Sequence, residues 1–162
     1  MDVDIGMLVV RLALGPMLFV HGWNKAMGSG GLAGTTRWFG SMGLRPAWLH
    51  ARLAAFTEMG AGALVTVGLL TTPAAAAFVG VMAVATFTDH RGKGYFVFKG
   101  GWEYTLLIAM VAVALACVGP GAWSLDRVLG IELTGVLWAG AALLVGLAAA
   151  AALLLACYRG RR

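Results

Sequence analysis

The stretch Leu133–Tyr158, LTGVLWAGAALLVGLAAAAALLLACY, holds no Asp, Glu, Lys or Arg along its whole length. A helix that crosses a bilayer needs roughly 17–25 mostly apolar residues at 1.5 Å of rise each. A helix on the surface of a soluble domain would present one polar face, and this stretch has none. Its natural surroundings are lipid.

Four more runs of the same kind precede it: Ile5–Trp23, Leu53–Leu70, Pro73–Thr88 and Tyr104–Gly119. The first two hold one charge each and the other two hold none. Polar and apolar residues do not alternate within them, which excludes the strands of a membrane barrel and leaves helices. Over 162 residues the chain is 60% hydrophobic and only 12% charged, against about 25% charged in an ordinary soluble domain. Twelve basic and seven acidic side chains cannot cover a soluble surface, so cytosolic enzymes, disordered tails and disulfide-stapled secreted domains are excluded. No basic residue precedes the first run and no small-residue cleavage site follows it, so it reads as a retained helix and not a leader.

The expected fold class is an all-α integral membrane protein. A four-helix transmembrane core occupies residues 1–130, and a fifth transmembrane helix with a basic tail occupies 131–162. The core spans lie at about 5–23, 53–70, 73–88 and 104–119. Counting Lys and Arg orients the spans. Lys25, Arg37, Arg45, Arg52, Arg91, Lys93, Lys99, Arg159, Arg161 and Arg162 fall on one side of a five-span arrangement, and Arg127 alone falls on the other. The N-terminus is expected outside and the C-terminus in the cytoplasm of a bacterial inner membrane. The net charge of +5 is then a signal for orientation and lipid head groups, not a nucleic-acid patch.

Between the first two runs, residues 35–42 are expected to form a short interfacial helix carrying Trp38 and Phe39 beside Arg37. Thr71-Thr72-Pro73 is expected to join the second and third spans in a tight hairpin, and Trp123 to anchor the outer loop 120–132. Cys117 and Cys157 fall at opposite membrane faces and cannot pair within one chain. There is no Cys-x-x-Cys, and His21, His50 and His90 have no paired ligand spacing, so no disulfide relay, metal or haem site is legible.

The informative residues are charges inside the spans. A charge at the middle of a span costs roughly 2.5–3.5 kcal/mol on insertion scales, so it faces the bundle interior or a partner. Arg11 and Glu58 lie in the first and second runs, at depths about two helical turns apart. His21 and Lys25 share a face at the inner end of the first run, and Glu103 opens the fourth. Pro16 leaves the Leu12 carbonyl without its helical bond, offering Arg11 an internal partner. Two readings stand side by side. In one, Arg11 and Glu58 form a structural ion pair. In the other, Arg11, His21, Lys25, Glu58 and Glu103 form a polar intramembrane pocket on the cytoplasmic side.

In this setting the sequence resembles the DoxX family of small bacterial membrane proteins. The matching pieces are Arg11-Leu12-Ala13-Leu14-Gly15, His21-Gly22-Trp23-Asn24-Lys25, Gly30-Gly31-Leu32-Ala33-Gly34, Phe39 and Gly43-Leu44. They continue as Glu58-Met59-Gly60-Ala61-Gly62, Gly68-Leu69-Leu70-Thr71, Gly100-Gly101-Trp102-Glu103-Tyr104 and the stretch from Gly119 to Asp126. The ordered set covers about residues 5–130. The resemblance implies a four-helix membrane bundle, to which the fifth helix is an addition. It also implies association with redox enzymes, since related small subunits belong to a thiosulfate:quinone oxidoreductase. An actinobacterial relative is linked to a membrane complex with superoxide dismutase and a sulfurtransferase. It identifies no catalytic residue.

The functional expectation is a membrane subunit or scaffold of a redox-stress complex whose pocket takes a quinone or lipid head group. Its expected partners are membrane lipids, a superoxide dismutase or sulfurtransferase by resemblance, and further copies of itself. A small proton-coupled transporter and an assembly factor without a ligand are the alternatives. No nucleophile–base pair or phosphate loop supports an enzyme acting alone.

Overall fold

The computed structural model describes residues 1–160; Arg161 and Arg162, counted above in the basic tail, lie outside the described residues. Helix α1 runs Asp2–Met27, α2 Gly31–Ser41, α3 Ala47–Val67 and α4 Thr71–Ala85, the last continuing as a π-helical turn Thr86–His90. Helix α5 runs Glu103–Val118, α6 Leu125–Leu129 and α7 Val136–Cys157. Three of these, Asp2–Met27, Thr71–His90 and Val136–Cys157, are each long and apolar enough to cross a membrane, and α5 is a shorter apolar helix.

Several boundaries differ from the sequence reading for local reasons. Helix α3 starts at Ala47, six residues before the apolar run, because its first turns carry His50 and Arg52 and hydropathy alone does not register them. It stops at Val67 because Gly68 adopts φ +68, and its amide closes back on Leu64 and Val65. The turn into α4 is therefore Gly68–Leu70, and Thr71 and Thr72 belong to the helix. Helix α2 begins four residues earlier than expected, at Gly31. Helix α1 continues through Pro16 without a break. The outer loop contains α6, started by Ser124, whose Oγ accepts from the Arg127 amide.

Helices α1 and α3 pack side by side over most of their length, while α4 is central, touching α3, α5 and α7. The α1–α3 seam depends on glycine. A methyl group at Gly15 would lie 2.7 Å from the Gly62 carbonyl oxygen and the Thr66 amide; one at Gly22 would lie 2.8 Å from the Met59 amide nitrogen. The backbones touch because nothing stands between them, which is how small residues join helices in lipid. Leu18, Val65, Phe78 and Leu115 fill the core beyond the seam. Helix α7 lies on α4 with Gly146 against Ala76 and Val79. Its end is pinned where the Arg45 amide donates to the Cys157 carbonyl and Leu44 pairs with Tyr158.

The chain thus reverses direction at each long helix. One end of the bundle collects the close of α1, α2, the start of α3, the close of α4, the start of α5 and the close of α7. The other end collects the α3–α4 turn and the α5–α7 connection. Large apolar side chains such as Leu107, Met110, Leu137, Leu144 and Leu155 face outward.

The seam makes a sharp prediction within one helix. Gly62→Ala places a methyl group 2.6 Å from the Gly15 carbonyl oxygen and should cost about 1–3 kcal/mol. Gly60→Ala meets nothing within 4 Å and should be neutral or slightly stabilising through helix propensity. Unfolding midpoints in mixed micelles measure both; equal stability of the two variants would contradict the packed seam.

Candidate functional site

Arg11 is 1% exposed, and its guanidinium donates to the Thr66 carbonyl at 3.1 Å and to the Trp123 carbonyl. Asp126 lies beyond it and is also buried. The Asp126 carboxylate accepts from the Leu70 amide at 2.7 Å and the Thr71 amide at 2.9 Å, while its own amide donates to Gly68 at 2.8 Å. An acidic side chain thereby satisfies free amides at the start of α4, where the helix dipole favours it. It also holds Leu70 at φ +47, a conformation that a leucine rarely adopts. Gly68 is required twice, for its φ and because a methyl group there would strike the Arg11 guanidinium. This polar knot ties the outer connection down onto the bundle.

Arg11 is therefore not paired with Glu58, and the ionisable residues do not all converge on one half of the bundle. The seam accounts for this. Glu58 lies beside Gly22, where its Cβ would be 2.9 Å from a methyl group. Gly22 is eleven residues along α1 from Arg11, about 16 Å away. Two side chains cannot close that gap when α3 already presents the Thr66 carbonyl to Arg11. Pro16 is not needed either, since the partners of Arg11 come from other elements.

At the opposite end Lys25 Nζ donates to Glu58 Oε2 at 2.6 Å; Glu58 is buried and Lys25 partly so. Side chains on a helix lean toward its N-terminus, so Lys25 reaches back into the bundle to meet Glu58. Thr35 of α2 donates to the Lys25 carbonyl at 2.8 Å and satisfies an acceptor at the close of α1. His21 lies one turn from Lys25 on the same wall. Glu103 is elsewhere: its carboxylate accepts from the Val97 amide at 3.0 Å and braces the loop before α5.

The Lys25–Glu58 pair borders a cavity of about 560 Å³ lined by α1, α2, α3, α4, α5 and α7. Along α4 its wall is a stripe of small residues, Ala76, Ala77, Gly80, Val81, Val84 and Ala85, continued by Gly146, Ala149, Ala150 and Leu153 of the adjoining α7. From Ala76 to Thr88 this wall is about 18 Å long. Its polar lining residues include His21, Lys25, His50, Glu58, Asp89 and His90. His50, Ala54, Thr57 and Glu58 reach it together because they follow one face of α3 at helical spacing. Sequence reading did not single out His50, although a helix with Pro46 in its first turn, as expected, carries it. It also gave Asp126 no structural role, for which Ser124 as a helix cap was the available signal.

These features define a class first: an integral membrane protein of packed helices with a half-open, largely apolar cavity that has one ionisable end. The comparisons then place it. The DoxX family model matches residues 6–91, more than half of the chain. Over 127 residues the chain is 33% identical to the inner membrane protein YqjF of Escherichia coli (strain K12), covering 78% of this chain and 93% of that one. It is likewise 33% identical over 123 residues to a Bacillus subtilis (strain 168) protein named "Putative oxidoreductase CatD", covering 76% and 86%. The inner membrane protein YphA of Escherichia coli is 29% identical over 130 residues, covering 75% and 88%. No solved structure matches. The chain belongs to the DoxX family.

The buried ion pair predicts a mutational cycle. Lys25→Met leaves the Glu58 carboxylate buried without its partner and should cost about 3–5 kcal/mol. Adding Glu58→Gln should recover most of that loss. A double variant no more stable than Lys25→Met, measured by unfolding in mixed micelles, would mean that the two residues are not coupled.

Proposed function

We propose that this DoxX protein is the membrane subunit of a redox complex in the bacterial inner membrane, and that its cavity holds a quinone or lipid head group. The observation that carries this reading is the distribution of polarity along the cavity: a long wall of small aliphatic residues and an end where Lys25 meets Glu58. A molecule with an apolar tail and a compact polar head has the same distribution. Lys25 and His21 offer donors to its oxygens, and Glu58 keeps the ammonium group at a fixed position. The volume lies within the range of about 300–1,000 Å³ usual for small-molecule sites.

In this reading Arg11 and Glu103 serve the frame of the bundle, and the chain positions its ligand while partner proteins carry the redox chemistry. The oxidoreductase name of the Bacillus relative favours that class. The resemblance to quinone-linked subunits points the same way, toward partners such as a superoxide dismutase or sulfurtransferase. Residues 1–130 form the ligand-holding core, and 131–162 add a helix that closes one side of the cavity. The small residues along α7 would also suit contact with a further copy.

Two experiments test the reading. Isolated from its native membrane in mild detergent, the protein should retain quinone and a redox enzyme. In nanodiscs it should bind decylubiquinone in at least one redox state. Glu58→Gln or Lys25→Met should weaken that binding about tenfold, and Arg127→Gln should leave it unchanged. Failure of the unaltered chain to bind, or unchanged binding by both site variants, would remove the pocket.

The five long helices are read as five spans, with the N-terminus outside. Supporting this, Lys25, Arg37, Arg45, Arg52, Arg91, Lys93, Lys99 and Arg159 belong to one end of the bundle and Arg127 to the other. A green fluorescent protein fused to the C-terminus should fluoresce, and alkaline phosphatase there should be inactive. The reverse pair of results would invert the topology.

A further inference from the structure

We propose that the loop between the π-turn and α5, residues 91–102, lies in the bilayer interface at the basic end of the bundle and binds anionic lipid head groups there. Its aromatic side chains enter the leaflet, and Arg91, Lys93 and Lys99 meet the head groups. This rests on reading α4 and α5 as membrane spans and is independent of what the cavity holds.

The loop carries Tyr95, Phe96, Val97 and Phe98 in succession, then Trp102. All five are exposed, Phe96 by 50% and Phe98 by 77%. A loose segment could turn such side chains inward, but this one is braced. The Tyr95 carbonyl accepts from the Glu103 amide at 2.9 Å, and the Phe96 carbonyl from the amides of Lys99 at 3.0 Å and Gly101 at 2.9 Å. The Glu103 carboxylate takes the Val97 amide at 3.0 Å, and the Tyr95 ring meets Trp102 edge to face with centroids 5.0 Å apart. The apolar patch is therefore held outward, and a contiguous patch of this kind marks an interaction surface.

Depth decides what covers it. Thr71–His90 has 20 residues, about 30 Å, which matches the hydrocarbon thickness of a bilayer, and His90 then marks its boundary. The hydroxyls of Thr86 and Thr105 are 2.6 Å apart, so the third residue of α5 is level with a residue one turn short of His90. Tyr95, bonded to the Glu103 amide, is level with that last turn. Gly100 is level with His90, whose Nδ1 is 2.6 Å from its carbonyl oxygen. The loop thus folds back beside the end of α4 and does not rise clear of it. Its aromatics lie where Tyr and Trp concentrate in membrane proteins. The amides bonded within the loop are what an irregular segment at that depth requires.

Charge identifies the lipid. Arg91, Lys93 and Lys99 are exposed along the same loop, and Arg91 lies over the Phe87 ring with 4.6 Å to its centroid. The acids of this segment are engaged within it: Asp89 pairs with Lys93 at 3.3 Å, and Glu103 holds the Val97 amide. Cations beside interfacial aromatics attract anionic head groups. A soluble acidic partner would need the patch clear of the leaflet, which its depth opposes.

The test uses the full-length chain in nanodiscs of phosphatidylglycerol and phosphatidylcholine. Cys117→Ala and Cys157→Ala remove the native thiols, and a bimane fluorophore is attached at Phe98→Cys. Lipid bearing a nitroxide near its head group should quench the fluorophore, and aqueous iodide should not. The nitroxide on phosphatidylglycerol should quench about fivefold more effectively than on phosphatidylcholine, the value of about one basic residue at an anionic surface. Arg91→Gln with Lys99→Gln should remove that preference and leave the lipid contact. A second label at Met110→Cys, on the exposed face of α5, reports the span itself. Iodide quenching at Phe98 with lipid quenching at Met110 would overturn the proposal and give the patch to a soluble partner. Iodide quenching at Met110 would overturn the span reading as well. Equal quenching by the two lipids, or a preference that survives the double variant, would overturn the anionic site. Should the double variant fail to fold, the two lipids compared on the chain with Arg91 and Lys99 intact decide.

Discussion

The direct backbone contact between α1 and α3 sets the position of everything else. Gly15 meets Gly62, and seven residues further along α1 Gly22 meets Ala55 and Met59, seven or fewer back along α3. Two antiparallel helices held this closely have a single register, and that register assigns partners at both ends. It sets Arg11 against the last turn of α3, where the Thr66 carbonyl receives it. It sets Gly22 against Glu58, within reach of Lys25 one turn on. A larger residue in the seam would separate the helices and leave two buried charges without partners in a medium that has no water to replace them.

The two polar ends answer that constraint differently. At the Arg11 end two guanidinium nitrogens are bonded, while Arg11 Nε and Thr71 Oγ1 are buried without a hydrogen-bond partner. Those two nitrogens and the Asp126 carboxylate are taken up by carbonyls and amides of the α3–α4 turn and the outer connection, so charge there fastens loops to helices. At the Lys25 end one ion pair is made, and it borders a cavity where small residues of α4 and α7 leave space.

How far the site was legible follows from what each signal measures. Arg11 and Glu58 stood out because hydropathy makes any charge in a span conspicuous. Their partners did not, because depth along a run says nothing about which neighbour a side chain faces. Counting depth from Leu53 compounded the error, because it made Glu58 seem closer in depth to Arg11 than the seam allows. Glu103 was conspicuous for its charge, yet its carboxylate is occupied by the loop amide of Val97. Asp126 appeared only as the end of a matching piece, without a structural role, because it lies outside the spans, where an acidic residue is unremarkable in sequence.

What the sequence determined by itself was the class of molecule: a helical membrane protein of the DoxX family, with its basic residues gathered by the alternation of its long helices. These are properties of composition and order, and the bilayer enforces them run by run through the cost of exposing charge and backbone to lipid. Only the tertiary structure decided that Arg11 fastens a turn, that Lys25 and not Arg11 meets Glu58, and that a cavity joins them to His50 and His90. Those outcomes depend on the register of helices distant in sequence and on space left by small side chains, and neither is a property of any single run.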